Sequence, residues 1–263
     1  MTLDSYFDIK RFGYLLKKEV FSNLKLFIIA LGAMSGILLI IFLVDIIDWE
    51  NDGYLNRSLW NNHMFFFIPP YLIIGVLFTS LAYKDLLQVN KAYAYLTLPV
   101  SNFERALSML LMTTVIYTIF FIVYYMVFST LLNGLGMIIT AREFGWFDVT
   151  AEPVVMAIKL YLVIQSIFLL GAAAFKKFPF LFTLLTIFLA AVALIILTVT
   201  LANFMFSEFF HTDNRIDVPD FISKDLQNFI EYDLPVILEN VFWYVLAPVC
   251  WVITYLKLKE REI

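Results

Sequence analysis

Residues 24–44 have the sequence LKLFIIALGAMSGILLIIFLV, which carries one charge, Lys25, at its second position. A helix rises about 1.5 Å per residue, so about 20 apolar residues cross the ~30 Å hydrocarbon core of a bilayer. Residues 37–44 are apolar without interruption, whereas strands of a membrane β-barrel alternate apolar and polar residues. The stretch therefore predicts a transmembrane helix.

Five further apolar stretches lie at residues 64–83, 106–132, 154–175, 179–206 and 235–256. Of the 263 residues, 62% are hydrophobic and 15% are charged, and the mean hydropathy is +0.86. An average soluble domain has about 45–50% apolar and about 25% charged residues. This composition excludes an ordinary soluble fold, a disordered chain and a nucleic-acid-binding module. We therefore predict an all-α, polytopic membrane protein, with six transmembrane helices in a single domain, 1–263.

The distribution of Lys and Arg predicts the orientation, because cytoplasmic loops carry an excess of both. Thirteen of the 18 lie in the two tails and in alternate loops: Lys10, Arg11, Lys17, Lys18, Lys25, Lys84, Lys91, Arg105, Lys176, Lys177, Lys257, Lys259 and Arg261. The other loops hold four, Arg57, Arg142, Arg215 and Lys224. Both termini are therefore predicted to be cytoplasmic. Residues 1–23 are predicted to form a basic interfacial helix, or else only a lead-in that sets the topology.

Two connections between the spans are long enough to have structure of their own. The cytoplasmic loop 84–105 is broken at Pro99, since proline disfavours helix in the residue before it. Ser101 and Glu104 have the spacing of a capping box, which satisfies free backbone N–H groups at a helix start. The outer loop 207–234 has an amphipathic stretch that predicts a helix on the outer surface.

No motif for catalysis, for a cofactor or for a metal is present in the sequence. There is no G-x-x-x-x-G-K-[ST] segment, so any ATP that drives this protein must bind another subunit. The single Cys250 excludes a thiol metal cluster, and neither histidine belongs to a metal motif. Lys159 and Glu239 are predicted at similar depth in spans four and six. They form an ion pair, or Lys159 extends to the headgroups.

The segment LTLPVSNFE at residues 96–104 is similar to the LPxS-x-x-E pattern that enters the third span of ABC-2 type permeases. The layout of the whole chain also resembles the membrane subunit of these bacterial ABC exporters. The resemblance implies a multi-pass protein of the bacterial plasma membrane that pairs with a second permease and with separate ATP-binding ABC subunits. It implies that loop 84–105 docks on the ATPase. The residues expected to form that docking surface are Lys84, Asp85, Leu86, Leu87, Lys91, Tyr93 and Tyr95.

Two other functions remain open at this point. The chain is a non-transport membrane scaffold or assembly subunit, or, as a weaker alternative, an ion-coupled carrier. Carriers usually have ionisable groups near the bilayer midplane, and the interiors of spans one, two, three and five are uncharged. A gene for an ATPase next to this one favours the exporter, and its absence favours the scaffold. Peptides, lipids, drugs and polysaccharide precursors all remain candidate substrates, and the second permease is either an identical or a different chain.

Overall fold

The computed structural model describes residues 7–52, 64–87, 97, 99–140, 146–210 and 234–260, and within these ranges all regular structure is helical. The prediction of an all-α protein is confirmed. The helices are α1 (Ile9–Asp52), α2 (Met64–Ser80), α3 (Asn102–Leu111), α4 (Tyr117–Thr140), α5 (Glu152–Ala174), α6 (Pro179–Phe210), α7 (Leu234–Asn240) and α8 (Leu246–Glu260). A π-helical turn, Met112–Ile116, joins α3 to α4, and a second, Val241–Val245, joins α7 to α8.

Five of the helical segments are long and apolar enough to cross a membrane: Ile9–Val44, Asn102–Ile139, Glu152–Ala174, Pro179–Leu201 and Pro235–Glu260. The chain is therefore a multi-pass membrane protein by the length and composition of its helices. The predicted second span is shorter than expected. Helix α2 has 17 residues, about 25 Å, and a turn follows it, in which the N–H groups of Leu81, Ala82 and Lys84 bond to carbonyls three residues back. The outer-surface helix predicted at residues 220–230 lies outside the described residues.

Helix α1 differs from the prediction at its N-terminal end. The expected interfacial segment and the first span form one continuous helix of 44 residues, about 66 Å long. No proline interrupts residues 9–52, and Asn23, at the expected boundary, donates a side-chain hydrogen bond to the carbonyl of Glu19 one turn earlier. Nothing at this boundary ends the helix. Because a bilayer core is ~30 Å thick, the basic part of α1 extends beyond it.

Aromatic side chains form the centre of the bundle, where α2, α4 and α5 meet. Phe67, Tyr71, Tyr117, Phe121 and Tyr161 are almost completely buried. The ring of Tyr71 lies 5.6 Å from that of Tyr117 and 5.0 Å from that of Tyr161. Lipid chains are as apolar as these side chains, so close packing and hydrogen bonds, rather than exclusion of water, hold such helices together. Aromatic pairs at these distances each contribute about 0.5–1.5 kcal/mol beyond their buried area.

Contacts between helix ends show which ends share a side of the bundle. The starts of α1, α3 and α6 lie at the same side as the ends of α2, α5 and α8. The contacts are Arg11 with Glu104, Asn23 with Lys84, Phe103 with Tyr255, Phe168 with Phe180, and Leu258 in one cluster with Ala173. Successive long helices therefore run in alternating directions. We call this side the basic end, because Lys10, Arg11, Lys17, Lys18, Lys84, Arg105, Lys176, Lys177, Lys257 and Lys259 all lie there.

Candidate functional site

Glu104, in the first turn of α3 at the basic end, is completely buried. Its Oε2 accepts a hydrogen bond from the backbone N–H of Ser101 at 2.8 Å. The Ser101 Oγ accepts one in return from the N–H of Glu104 at 3.2 Å. Both hydrogen bonds of the predicted capping box are therefore present. They satisfy two N–H groups at a helix start that have no partner within the helix.

The same carboxylate also binds the start of α1. Its Oε1 accepts a hydrogen bond from the backbone N–H of Asp8 at 2.7 Å and one from Nη2 of Arg11 at 3.0 Å. The Asp8 carboxylate in turn accepts from the N–H groups of Lys10 at 2.7 Å and Arg11 at 3.3 Å. One buried carboxylate thus holds the first residues of α1 against the first residues of α3. The sequence signal that was missed is Asp8, an N-cap residue type at the start of a helical pattern.

Asp8 precedes α1, and the N–H groups of Lys10 and Arg11 hold the pKa of its carboxyl group below the ordinary value. The Glu104 carboxylate accepts its hydrogen bonds in the first turn of α3, where the positive end of the helix dipole stabilises a negative charge.

A second set of polar contacts attaches the turn after α2 to α1. Nζ of Lys84 donates to Oδ1 of Asn23 at 2.7 Å. Lys18 forms ion pairs with Glu19 at 3.1 Å and with Asp85 at 3.9 Å. The Glu19 side chain is buried, and Lys18 is its ion-pair partner. Helix α1 is therefore joined both to the turn after α2 and to the start of α3.

The expected ATPase-docking residues are only partly described. Lys84 and Asp85 lie in a 3₁₀ turn, Lys84–Leu87, and both contact α1. The side chains of Leu86 and Leu87 lie outside the described part of the chain, as do Lys91, Tyr93 and Tyr95 entirely. The docking surface stays a prediction.

The π-helical turn between α3 and α4 is tied to α5. In such a turn the backbone bonds are displaced by one residue, so a carbonyl loses its usual partner. The hydroxyl of Tyr161 donates to the carbonyl oxygen of Thr113 at 2.6 Å. Nε2 of Gln165 donates to Oγ1 of Thr113 at 2.7 Å, and Oε1 of Gln165 accepts from Nε1 of Trp251 on α8 at 3.4 Å. This network connects the middle of three helices and leaves Gln165 engaged with neighbouring helices.

The structure does not bring Lys159 and Glu239 together. Both belong to the described residues, both are exposed, and no ion pair joins them there. Their distances from the ends of the predicted spans indicate a similar depth, but a pair also requires that the two helices are in register and that the side chains point toward each other. The packing of the helices decides both, and the sequence positions alone do not.

Helix α1 is thus joined to the start of α3 through Glu104 and, separately, to the turn after α2 through Lys84 and Asp85. Among the described residues, no group of three or more His, Cys, Asp or Glu side chains has the arrangement of a metal site. Comparisons with protein-family models, with curated proteins and with solved structures find no match to this chain. The assignment of a function therefore depends on the geometry of the chain itself.

Proposed function

We propose that this chain is the membrane-spanning permease subunit of an ATP-driven exporter of the ABC-2 type. In this proposal a separate ATPase docks on residues 84–105, and its movement passes into α3. The observation that carries the proposal is the buried Glu104, whose hydrogen bonds join the end of that loop, at Ser101, to α3 and α1. The helical segment Asn102–Ile139 continues for 38 residues, so a displacement at its start extends through the bilayer.

The proposal includes six spans with the basic end in the cytoplasm. Its support is the alternating direction of the long helices together with the Lys and Arg residues gathered at one end. Helix α2 is the short member of the six. A short span is accommodated when the bilayer thins locally around it.

This topology is tested with single cysteines. Trp146 lies at the end of the bundle opposite to the basic end, Lys177 lies at the basic end, and both side chains are exposed. The two variants are Trp146→Cys and Lys177→Cys. An impermeant thiol reagent added to intact cells should label Trp146→Cys and not Lys177→Cys. The native Cys250 is buried, so the unsubstituted protein gives the background level of labelling. Labelling of Lys177→Cys from outside would contradict the orientation and, with it, the docking of a cytoplasmic ATPase.

The proposal also includes a second permease. Gly32 and Gly36 form a small-residue face on α1, and an added Cβ at either position would meet nothing within 4 Å. Helix α6 packs near its start against α5 and exposes apolar side chains over most of its remaining length. A partner helix in the membrane would find room on both. The same exposure favours the scaffold as the second candidate function, since a scaffold also needs free membrane-embedded faces.

Co-purification distinguishes the two functions. The tagged chain is isolated from its native membrane in mild detergent, and the bound proteins are identified. The exporter predicts a P-loop ATPase in the complex, and ATP hydrolysis by that complex. Tyr93→Ala or Tyr95→Ala is expected to weaken its retention, while Tyr14→Ala, an exposed site on α1, serves as the control. A complex that lacks an ATPase favours the scaffold. An ATPase that is retained after residues 86–96 are replaced by a Gly/Ser linker contradicts the docking assignment.

A further inference from the structure

A groove opens between α3 and α8 near the basic end, with the end of α5 as its floor. Its volume is about 360 Å³, within the ~300–1,000 Å³ range of small-ligand sites. Its lining includes Phe103, Ala106 and Leu110 of α3, Leu169 of α5, and Trp251 and Tyr255 of α8. The hydroxyl of the only small polar residue, Thr254, donates to the carbonyl of Cys250 within α8, so the lining offers an apolar surface.

The side chains along the groove change character in one direction. On α8, Trp251, Tyr255 and Lys259 follow one another at four-residue spacing and therefore lie along one face of the helix. On α3, Leu110, Leu107 and Phe103 run in the same direction toward the basic end. The deep end of the groove is apolar, with Leu110 on α3 and the indole of Trp251 on α8. The Phe103 and Tyr255 rings meet at 6.3 Å nearer the basic end, and Lys259 lies beyond them.

Lys259 supplies an available charge at this end. It is exposed and has no ion-pair partner among the described residues. The neighbouring Lys257 is paired, since its Nζ lies 2.6 Å from Oε2 of Glu260. Aromatic residues such as Tyr255 favour the boundary between hydrocarbon and headgroups, and lysines just beyond that boundary attract anionic lipids.

We propose that the groove binds one acyl chain of an anionic phospholipid from the cytoplasmic leaflet, with the lipid phosphate at Lys259. The order of apolar, aromatic and cationic side chains matches the order of acyl chain, glycerol region and phosphate in such a lipid. A peptide helix of the same apolar character would not require the cation at the end of the groove. The site goes beyond the proposed function and is the same for an exporter subunit and for a scaffold.

Trp251 provides the probe, because bromine atoms on an acyl chain quench tryptophan fluorescence on contact. A variant retains Trp251 as its single tryptophan, with Phe at positions 49, 60, 146 and 243. It is reconstituted into phosphatidylcholine vesicles that contain increasing fractions of phosphatidylglycerol with dibrominated chains. A parallel series contains dibrominated phosphatidylcholine. One lysine at an anionic surface corresponds to about fivefold stronger binding. Half-maximal quenching by phosphatidylglycerol is therefore expected at about one fifth of the fraction that phosphatidylcholine requires.

Two variants locate the effect. Ala106→Phe places a ring in the groove and should reduce quenching by both lipids, whereas Ala191→Phe, at an exposed site on α6, should not. Lys259→Gln should remove the preference for phosphatidylglycerol, while quenching at high lipid fractions remains. The matched control Lys177→Gln should keep the preference for phosphatidylglycerol. Equal quenching by both lipids in the parent variant overturns the proposal, as does unchanged quenching in Ala106→Phe.

A second measurement uses the chain with all its tryptophans. Native mass spectrometry of the protein in detergent should show retained phosphatidylglycerol, and Ala106→Phe should lose it while Ala191→Phe keeps it. This keeps the test decisive if the single-tryptophan variant does not fold. Retention that is the same in all three proteins refutes the groove as the site.

Discussion

Replacement of Glu104 by alanine is expected to destabilise the protein strongly, although the residue lies at the edge of the membrane bundle. The substitution removes three hydrogen bonds at once, from the N–H groups of Asp8 at 2.7 Å and Ser101 at 2.8 Å and from Arg11 at 3.0 Å. It also leaves two backbone donors without their partner. The start of α3 loses half of its capping box, and the start of α1 loses its attachment to α3.

The size of the effect follows from these contacts. Hydrogen bonds to charged groups contribute about 1.5–3 kcal/mol each, and breaking a buried ion pair costs about 3–5 kcal/mol. The Arg11 side chain is 35% exposed, so water replaces part of its interaction. We therefore expect Glu104→Ala to lower the free energy of unfolding by about 3 kcal/mol. Glu104→Gln, which keeps an acceptor oxygen, should cost about half as much, and Arg11→Ala about 1 kcal/mol.

The free energy is measured by reversible unfolding in mixed micelles with increasing amounts of a denaturing detergent, monitored by circular dichroism. The Glu104→Ala and Arg11→Ala changes should be coupled by about 1 kcal/mol in a double-mutant cycle. Ser101→Ala serves as the control for capping alone, with an expected cost of about 1 kcal/mol. A Glu104→Ala cost no larger than that of Ser101→Ala, together with zero coupling to Arg11, would refute the joining of α1 to α3 through this carboxylate.

Three further outcomes are expected. Tyr161→Phe removes the hydroxyl that donates to the Thr113 carbonyl and should lower the free energy of unfolding by about 1–3 kcal/mol in the same assay. Tyr14→Phe changes an exposed side chain and should have no measurable effect. Gly171→Ala places a Cβ against Thr183 of α6 and should lower the free energy of unfolding by about 1–3 kcal/mol. Gly32→Ala meets open space and should be neutral or stabilising, so equal effects of the two changes would contradict the close approach of α5 and α6 at Gly171. Because the pKa of Asp8 is lowered in the folded state, its contribution to stability should be complete above the ordinary pKa of 3.8 and decrease as the pH falls below it; an Asp8→Asn protein with the same acid dependence would exclude this assignment.

The sequence was sufficient for features whose partners are close together along the chain. The length of apolar runs predicted the helical class and the multi-pass character, because the thickness of the bilayer sets how many apolar residues a helix needs. The capping box was predictable because Ser101 and Glu104 are three residues apart and satisfy each other's backbone groups. The boundary expected at residue 23 was not predictable in this way, since a helix continues wherever nothing interrupts it.

Tertiary structure alone decided which distant residues share a site. Arg11 and Glu104 are separated by 93 positions, and Tyr161 and Thr113 by 48. Local spacing contains no information about such pairs, because the rotation and the lateral position of each helix depend on the packing of the whole bundle. Lys159 and Glu239 illustrate the same limit: the sequence predicts similar depths in two spans, yet both side chains are exposed and unpaired within the described residues. The sequence determined that this chain has several helices long enough to cross a hydrophobic layer. Packing among the helices determined which polar groups meet, since burial without a partner costs more free energy than any local preference supplies.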